Sequence, residues 1–185
     1  MTAAYQIETA RLQFVPLTGD DTDALHALWT DPGVRRFLWD DVVIPREQTI
    51  DILETNREYF ASYGYGLWGA RMRDRPDLIG FGGYWFFHDP PERQILYGLA
   101  PDHWGRGLAT EIARAMIRYG FEVHDFDHII GSTDSPNTAS RKVMEHAGMR
   151  FLKRVSINQL DTIYYEVRRE DHTPDDAPFT LRSVE

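Results

Sequence analysis

The stretch that decides the fold runs from Gln94 to Phe121 and reads QILYGLAPDHWGRGLATEIARAMIRYGF. Residues 94–99 are rich in aliphatic and aromatic side chains, which predicts a strand. Residues 108–121 carry apolar residues along one stripe, which predicts a helix packed against a core. Residues 100–106 connect the two elements and are predicted to be a loop. The unit therefore reads strand, loop and helix.

Two glycines, Gly105 and Gly107, stand where this loop meets the helix. The first N–H groups of a helix have no partner inside the helix, and the helix dipole favours anions there. Glycine lets a phosphate approach the backbone without a clash with a Cβ atom. Arg106 adds a positive charge between the glycines. The loop therefore predicts a diphosphate cradle.

Other interpretations of a glycine loop stay open at this point. A Walker loop needs a Gly-Lys pair, and the sequence has none. A dinucleotide fingerprint needs a third glycine where Thr110 stands, and it opens a βαβ repeat rather than following an antiparallel hairpin. A tight turn that only caps a core helix is the purely structural alternative.

The flanking segments predict a single mixed α/β sheet. In chain order they are a strand at 8–17, helical segments at 20–38 and from Pro45, strands at 65–72 and 78–87, a strand at 128–131, a helix through 143–147, and strands at 151–155 and 162–167. The order is β, αα, βββ, α, β, α, ββ, which differs from a regular βαβα repeat. We expect the polar tail from Asp171 to be loosely ordered.

Composition excludes several classes of function. The 185 residues suit one domain, and the net charge of −9 argues against binding nucleic acid through its phosphates. The absence of cysteine excludes disulfides, thiolate zinc sites and a cysteine nucleophile. No apolar run approaches the roughly 20 residues that span a bilayer, and the N-terminus does not resemble a signal peptide. We expect a cytoplasmic protein with no membrane or nucleic-acid partner.

Two motifs carry a resemblance to a known family. The segment WGRGLAT at 104–110 resembles the acetyl-CoA loop of the GNAT superfamily, whose general pattern is Q/R-x-x-G-x-G/A. Trp104 occupies the Q/R position, as is typical of the RimJ/RimL type. The segment NTASRKVMEHAGM at 137–149 is similar to the second motif of that type, N-x-x-S-x-x-V-x-E-x-x-G-(F/M). The resemblance covers roughly residues 8–170 and leaves 171–185 as a polar C-terminal tail.

The resemblance implies a single-domain GNAT fold. Such a fold has a splayed, mostly antiparallel sheet of six to seven strands with helices on both faces. Acetyl-CoA would be the cosubstrate, and its pantetheine arm would lie between the strand that ends at Leu99 and the short strand at 129–130. The implied cofactor-binding residues are Leu99, Trp104, Gly105, Arg106, Gly107, Leu108, Ala109, Thr110, Asn137 and Ser140.

The same resemblance implies an N-acetyltransferase that moves acetyl to a primary amine by direct attack on the thioester. Ser140 would protonate the departing thiolate, and a backbone N–H near Leu99 would stabilise the oxyanion. Family members often carry a carboxylate base at the position of Gln94, and glutamine cannot act as a base. Glu92 is the substitute candidate for the catalytic base. Further candidate acids on the helical arm are Asp40, Asp41 and Glu54.

Two histidine features and one aromatic run have competing interpretations. His124 and His128 have metal-ligand spacing, but a loop is favoured and no metal site is expected. His103 lies beside the cradle, where it would touch a ribose or phosphate or simply sit on the surface. The aromatic residues at 84–87 and Trp68 are expected to belong to the core. Alternate members of the run would line an acceptor pocket, because successive strand residues face opposite sides.

The acceptor class stays open between a protein N-terminal α-amine and a small-molecule amine. A longer acyl-CoA donor is one alternative, and a non-catalytic CoA-binding module is another, because Gln94 replaces the usual acid. A nicotinamide-dependent oxidoreductase is disfavoured by Thr110 and by the strand order. The family resemblance also suggests a homodimer.

Overall fold

The computed structural model describes residues 4–88, 90–157 and 160–184. The described residues do not include Met1 to Ala3, which belong to the N-terminal segment compared with signal peptides. They also do not include Glu185, the end of the predicted tail. The helices are α1 (Thr22–Thr30), α2 (Pro32–Leu38), α3 (Arg46–Tyr63), α4 (Leu108–Glu122) and α5 (Thr138–His146). The strands are β1 (Ala4–Thr9), β2 (Leu12–Pro16), β3 (Leu67–Met72), β4 (Leu78–Phe87), β5 (Glu92–Leu99), β6 (His128–Asp134), β7 (Arg150–Ile157), β8 (Leu160–Arg168) and β9 (Phe179–Val184).

The strands form one open sheet in the order β7-β8-β6-β5-β4-β3-β2-β1-β9. Within the described residues, neighbouring strands are antiparallel except for β5 and β6. Those two strands run parallel and are joined by a single register pair, Gln94 with Ile130. Beyond that pair they continue without pairing, so the sheet opens between them. The predicted mixed α/β class with a splayed, mostly antiparallel sheet is confirmed.

The described part of the sheet has nine strands rather than six to seven, for two reasons. The predicted first strand at 8–17 is two antiparallel strands, β1 and β2, which meet at a turn after Thr9. The tail beyond residue 170, expected to be loosely ordered, adds β9. Splitting one strand and adding another accounts for the difference.

The expectation of a loose tail is wrong for β9, which pairs with β1 across six residue pairs from Ala4–Val184 to Thr9–Phe179. Phe179 and Leu181 lie two residues apart, so they share one face of the strand and pack against the core. The Arg118 guanidinium lies 4.4 Å from the centre of the Phe179 ring. Two apolar residues at alternate positions are too short a pattern to predict a strand when the surrounding residues are polar.

Helices cover both faces of the sheet, and α4 packs against β4 and β5. Its residues Ile112 and Met116 are fully buried, as the apolar stripe predicted. A Cβ on Gly82 of β4 would lie 2.4 Å from Ile112 Cγ2, so only glycine permits this approach. On the opposite face, a second buried cluster joins α1, through Leu25 and Trp29, to the sheet. None of the helices in the described residues has the length and apolar character needed to cross a bilayer.

Candidate active site

The opening between β5 and β6 exposes backbone donors of β5. The Ala100 N–H donates to Ile79 O of β4 at 2.8 Å. Because N–H groups alternate sides along a strand, those of Leu99 and Tyr97 point towards β6. At that level β6 no longer pairs with β5. The predicted oxyanion donor near Leu99 therefore faces the opening.

The predicted cradle is an exposed turn at the start of α4. Gly105 and Gly107 adopt left-handed conformations, with φ of 74° and 73°, and Gly107 caps the helix. A Cβ at Gly105 would meet nothing within 4 Å, and one at Gly107 would meet only Arg11 Nη2 at 3.7 Å. Open space thus lies over the first free N–H groups of α4, which fits a diphosphate.

Arg11 lies beside this cradle, and the sequence analysis did not identify this residue. Its Nε donates to Glu111 Oε2 at 2.7 Å and its Nη1 donates to Arg106 O at 2.8 Å. Glu111 also accepts from the Thr9 hydroxyl at 2.7 Å, so the first turn of α4 is tied to the turn between β1 and β2. The guanidinium adds positive charge where an anion would bind. The pairing joins residues about a hundred positions apart, so no local pattern could have revealed it.

Trp104 connects the cradle to β5. Its indole Nε1 donates to Leu99 O at 2.7 Å, and its backbone N–H donates to Pro101 O at 3.0 Å. The edge of the ring lies 2.9 Å from where a Cβ on Gly33 of α2 would stand. Both N–H donors of this predicted cofactor residue are therefore used within the protein. What Trp104 can offer a ligand is its half-exposed ring.

The predicted second motif begins α5. Asn137 caps the helix, because its Oδ1 accepts from the Ser140 N–H at 3.2 Å. The Ser140 hydroxyl oxygen lies 2.9 Å from the hydroxyl of Tyr97, which also donates to Ser140 O at 3.1 Å. Burial raises the pKa of Tyr97, so its phenol stays protonated. Tyr97 is a second site residue that sequence reasoning missed.

Gln94 is buried and lies at the centre of a hydrogen-bond cluster. Its Nε2 donates to Glu92 Oε2 at 2.7 Å, and its Oε1 accepts from the Ser132 hydroxyl at 2.7 Å. The Nε2 also lies 3.4 Å from His88 Nε2, which is 3.2 Å from the Tyr164 hydroxyl. The sequence analysis did not identify His88 as a candidate site residue. The cluster brings the predicted Glu92 together with groups that were not predicted.

A cavity of about 400 Å³ opens beside Gln94. Its aromatic lining includes Trp29, Phe37, Trp39, Trp85, Phe87 and Tyr164. Trp85 and Phe87 are alternate residues of β4, and the interposed Phe86 packs instead against Tyr63 on the other side. The prediction that alternate aromatic residues would line a pocket agrees with this placement.

Two carboxylates, Asp40 and Asp134, also line the cavity. Burial raises the pKa of Asp134, and repulsion from Asp40 raises it further. The other candidate acids lie elsewhere. Asp41 pairs with Arg35 at 3.0 Å, and Glu54 lines a separate groove between β2 and α3. Of the three acids predicted on the helical arm, only Asp40 faces this cavity.

The three histidines considered in the sequence analysis lie outside this cluster. His124 packs between Tyr65 and Tyr119, with ring centres 5.0 Å from each, and burial lowers its pKa. His128 begins β6 and His103 ends the short turn before the cradle. No group of three or more histidine or acidic side chains in the described residues is arranged to hold a metal ion.

The comparison with known families decides the class of this site. Residues 11–150 match the family described as the acetyltransferase (GNAT) domain. The chain belongs to the GNAT acetyltransferase family. As a GNAT protein it is an acetyl-CoA-dependent N-acetyltransferase.

Three proteins similar to this GNAT protein share 16–27% sequence identity with it. It is 27% identical over 145 residues to the uncharacterised N-acetyltransferase YoaA of Bacillus subtilis (strain 168), covering 78% of this chain and 82% of that protein. Its fold matches an acetyltransferase from Agrobacterium tumefaciens str. C58 with a TM-score of 0.77, at 20% identity over 88% and 94% of the two chains. It also matches RimL, the ribosomal L7/L12 alpha-N-protein acetyltransferase, in complex with coenzyme A, with a TM-score of 0.72 at 16% identity over 87% and 98%. These structures share the fold.

In this GNAT domain, the predicted residues fall at two ends of the opening between β5 and β6. The cradle at 105–110 lies where α4 begins, and Ser140 meets Tyr97 of β5. Gln94 and Glu92 lie towards the other end of β5, beside the aromatic cavity. The two ends suit the two substrates of an acyl transfer.

Proposed function

We propose that this enzyme transfers acetyl from acetyl-CoA to a primary amine held in the 400 Å³ cavity, by direct attack on the thioester. One observation carries the proposal: Gln94 both lines the cavity and forms, with Ile130, the single register pair that joins β5 to β6 in the described residues. An amine in the cavity would therefore meet an acyl group that entered through the opening between the strands. This adjacency lets the amine attack without a covalent enzyme intermediate.

For acetyl-CoA, we propose that the cradle binds the diphosphate and the opening binds the pantetheine arm. The left-handed glycines and the free N–H groups of the first turn support the cradle, and Arg11 adds charge beside it. The proposed contacts are Leu99, Trp104, Gly105, Arg106, Gly107, Leu108, Ala109, Thr110, Asn137 and Ser140. The bound cosubstrate supplies an activated acetyl group, and the protein supplies position and proton transfer.

At the leaving group, we propose that the Ser140 hydroxyl protonates the thiolate. The Tyr97 hydroxyl lies 2.9 Å from Ser140 Oγ and can donate to it, which leaves the serine proton free to point elsewhere. At the amine, we propose that Glu92, the carboxylate bonded to Gln94, stabilises the positive charge that develops on the attacking nitrogen. A carboxylate near a developing cation stabilises it.

The acceptor is proposed to be a cationic amine, either a peptide N-terminus as in RimJ/RimL-type enzymes or a small molecule. The charged side chains that line the cavity are Asp40 and Asp134, with His88 at the cavity as well, and neither lysine nor arginine joins them among the described residues. Carboxylates attract an ammonium group before it loses its proton. A volume of about 400 Å³ holds one residue or a small amine.

The test is acetyl-CoA turnover with a defined panel of amines: a seryl and an alanyl tripeptide amide, 1,5-diaminopentane and kanamycin. We expect free thiol to appear with at least one amine, and mass spectrometry to show a single acetyl group on its nitrogen. Binding of acetyl-CoA with no acetylated amine in the panel would favour a non-catalytic CoA-binding module. That alternative arises because Gln94 stands where family members often carry a catalytic acid. Faster turnover of a longer acyl-CoA than of acetyl-CoA would instead identify the longer acyl-CoA as the donor.

A further inference from the structure

The amine must lose a proton, and Gln94 cannot take it. An amide is not a base near neutral pH, and both polar atoms of this one are in use. The Ser132 hydroxyl donates to its Oε1 at 2.7 Å, and its Nε2 donates to Glu92 Oε2 at 2.7 Å. The residue is 2% exposed. Gln94 therefore orients its neighbours rather than reacting.

The orientation of Gln94 favours one tautomer of His88. A carboxylate only accepts hydrogen bonds, so the Gln94 atom that faces Glu92 is the NH₂ group. The same NH₂ group faces His88 Nε2 at 3.4 Å, and the Tyr164 hydroxyl approaches that nitrogen at 3.2 Å. The Gln94 NH₂ group can only donate and the Tyr164 hydroxyl can also donate, so this arrangement favours a lone pair on Nε2 and places the proton of the neutral ring on Nδ1.

The lone pair of His88 Nε2 is only weakly engaged. Hydrogen bonds from hydroxyl and amide donors are most often about 2.8 to 3.0 Å long, and both contacts here are longer. His88 is exposed and lines the cavity. Glu92, in contrast, is not one of the described residues that line the cavity, and its Oε2 is held in a short bond by Gln94. An amine in the cavity thus meets the imidazole before it meets the carboxylate.

We infer that His88 is the catalytic base of this enzyme, and that Gln94 and Tyr164 are positioning residues that keep its Nε2 free of a proton. The inference rests on the proposed function. The ammonium group first loses one proton to solvent. The neutral amine nitrogen then forms a bond to the acetyl carbon, and one of its two remaining protons passes to His88 Nε2. The carbon–sulfur bond breaks, and the thiolate takes a proton from the Ser140 hydroxyl. Solvent then removes the proton from His88 and restores that of Ser140.

The test uses His88→Ala in the full chain, with the panel amine that the wild-type enzyme acetylates fastest. We expect kcat to fall by about 10²-fold or more, the usual contribution of a general base, with an unchanged Kd for acetyl-CoA by calorimetry. Added imidazole should restore part of the lost kcat, because the deletion leaves room for it. A purely structural role would not respond to imidazole. His88→Gln fills that space and should be as slow as His88→Ala, without rescue.

His146→Ala is the matched control, because His146 is exposed at the end of α5. We expect it to keep wild-type kcat with or without imidazole. Near-wild-type kcat in His88→Ala, or a loss that imidazole does not restore while the unfolding temperature is unchanged, would overturn the assignment. Loss of kcat in Glu92→Gln but not in His88→Ala would give the role to Glu92. A wild-type enzyme that binds acetyl-CoA and acetylates no panel amine would instead refute the proposed function, and this inference with it.

Discussion

Among single residues, Tyr97 and Ser140 form the contact that bears most directly on the leaving group. Tyr97 can donate to either the hydroxyl or the carbonyl oxygen of Ser140, at 2.9 and 3.1 Å. When it donates to the hydroxyl, the serine proton is free to point away from Tyr97. Because burial raises the pKa of Tyr97, the phenol keeps its proton and remains a donor. We therefore expect the pair to act as one unit.

The substitution Tyr97→Phe should lower kcat by about fivefold to tenfold and leave the Kd for acetyl-CoA unchanged, since one hydrogen bond contributes about 1 kcal/mol. Ser140→Ala should lower kcat further than it weakens acetyl-CoA binding. Steady-state kinetics of the two single variants and the double variant check the coupling. If the two effects multiply, Tyr97 does not act through Ser140.

Sequence reasoning identified candidate residues that lie within one linear motif, and it missed residues that distant parts of the chain bring together. Asn137 and Ser140 belong to one turn of one helix, so their spacing was visible. Tyr97 and Ser140 are 43 positions apart, and Arg11 and Arg106 are 95 apart. Such contacts depend on how strands and helices are brought together. His88 was missed for the same reason, because its partner Tyr164 belongs to a distant strand.

The connection between α4 and β6 contains a histidine that behaves as a core residue. His124 has been drawn into an aromatic cluster, and its Nε2 is buried without a hydrogen-bond partner in the described part of the chain. Burial lowers the pKa of His124, because the charged ring is poorly solvated there. The metal-ligand spacing with His128 has no structural counterpart in the described residues.

This connection should make stability fall in mild acid. The native pKa of His124 is lowered, so the unfolded chain binds its proton first as the pH drops below about 6.5, the ordinary imidazole value. Stability that is present above that pH is therefore lost as the pH falls towards the lowered native pKa. His124→Phe should reduce this loss, as measured by urea unfolding between pH 7.5 and 5. The same slope in His124→Phe as in the wild type would contradict the account, and His146→Ala serves as the control.

The edge strand β9 is held by few residues, so a single one can test it. Phe179→Ala removes a half-buried ring and its contact with the Arg118 guanidinium, which should lower the free energy of unfolding by about 1–2 kcal/mol. Thr180→Ala, on the exposed face of the same strand, should change it by less than about 0.5 kcal/mol. Equal effects in urea unfolding would mean that β9 does not pack as described.

At the scale of the whole molecule, the order of elements was predictable and the full extent of the sheet was not. The helix α4 was predictable from its apolar stripe, and Ile112 and Met116 of that stripe are buried. The split between β1 and β2 was hidden because the connection at 10–11 contains no glycine, proline, asparagine or aspartate to signal a turn. The opening between β5 and β6 came from the family resemblance, since no local pattern states which strands fail to pair.

The central claim is that acetyl-CoA binds at the start of α4 through the cradle. Calorimetric titration of acetyl-CoA into four proteins tests it: the wild type, Gly107→Ala, Gly107→Glu and Gly19→Glu. Gly107→Ala measures the cost of a side chain at a φ of 73°, and Gly19→Glu places the same acid at an exposed glycine with open space around it. The account predicts that Gly19→Glu binds like the wild type and that Gly107→Glu binds at least about tenfold more weakly than Gly107→Ala, a difference of about 1.4 kcal/mol. Equal affinity in Gly107→Glu and the wild type would contradict the cradle as the diphosphate site.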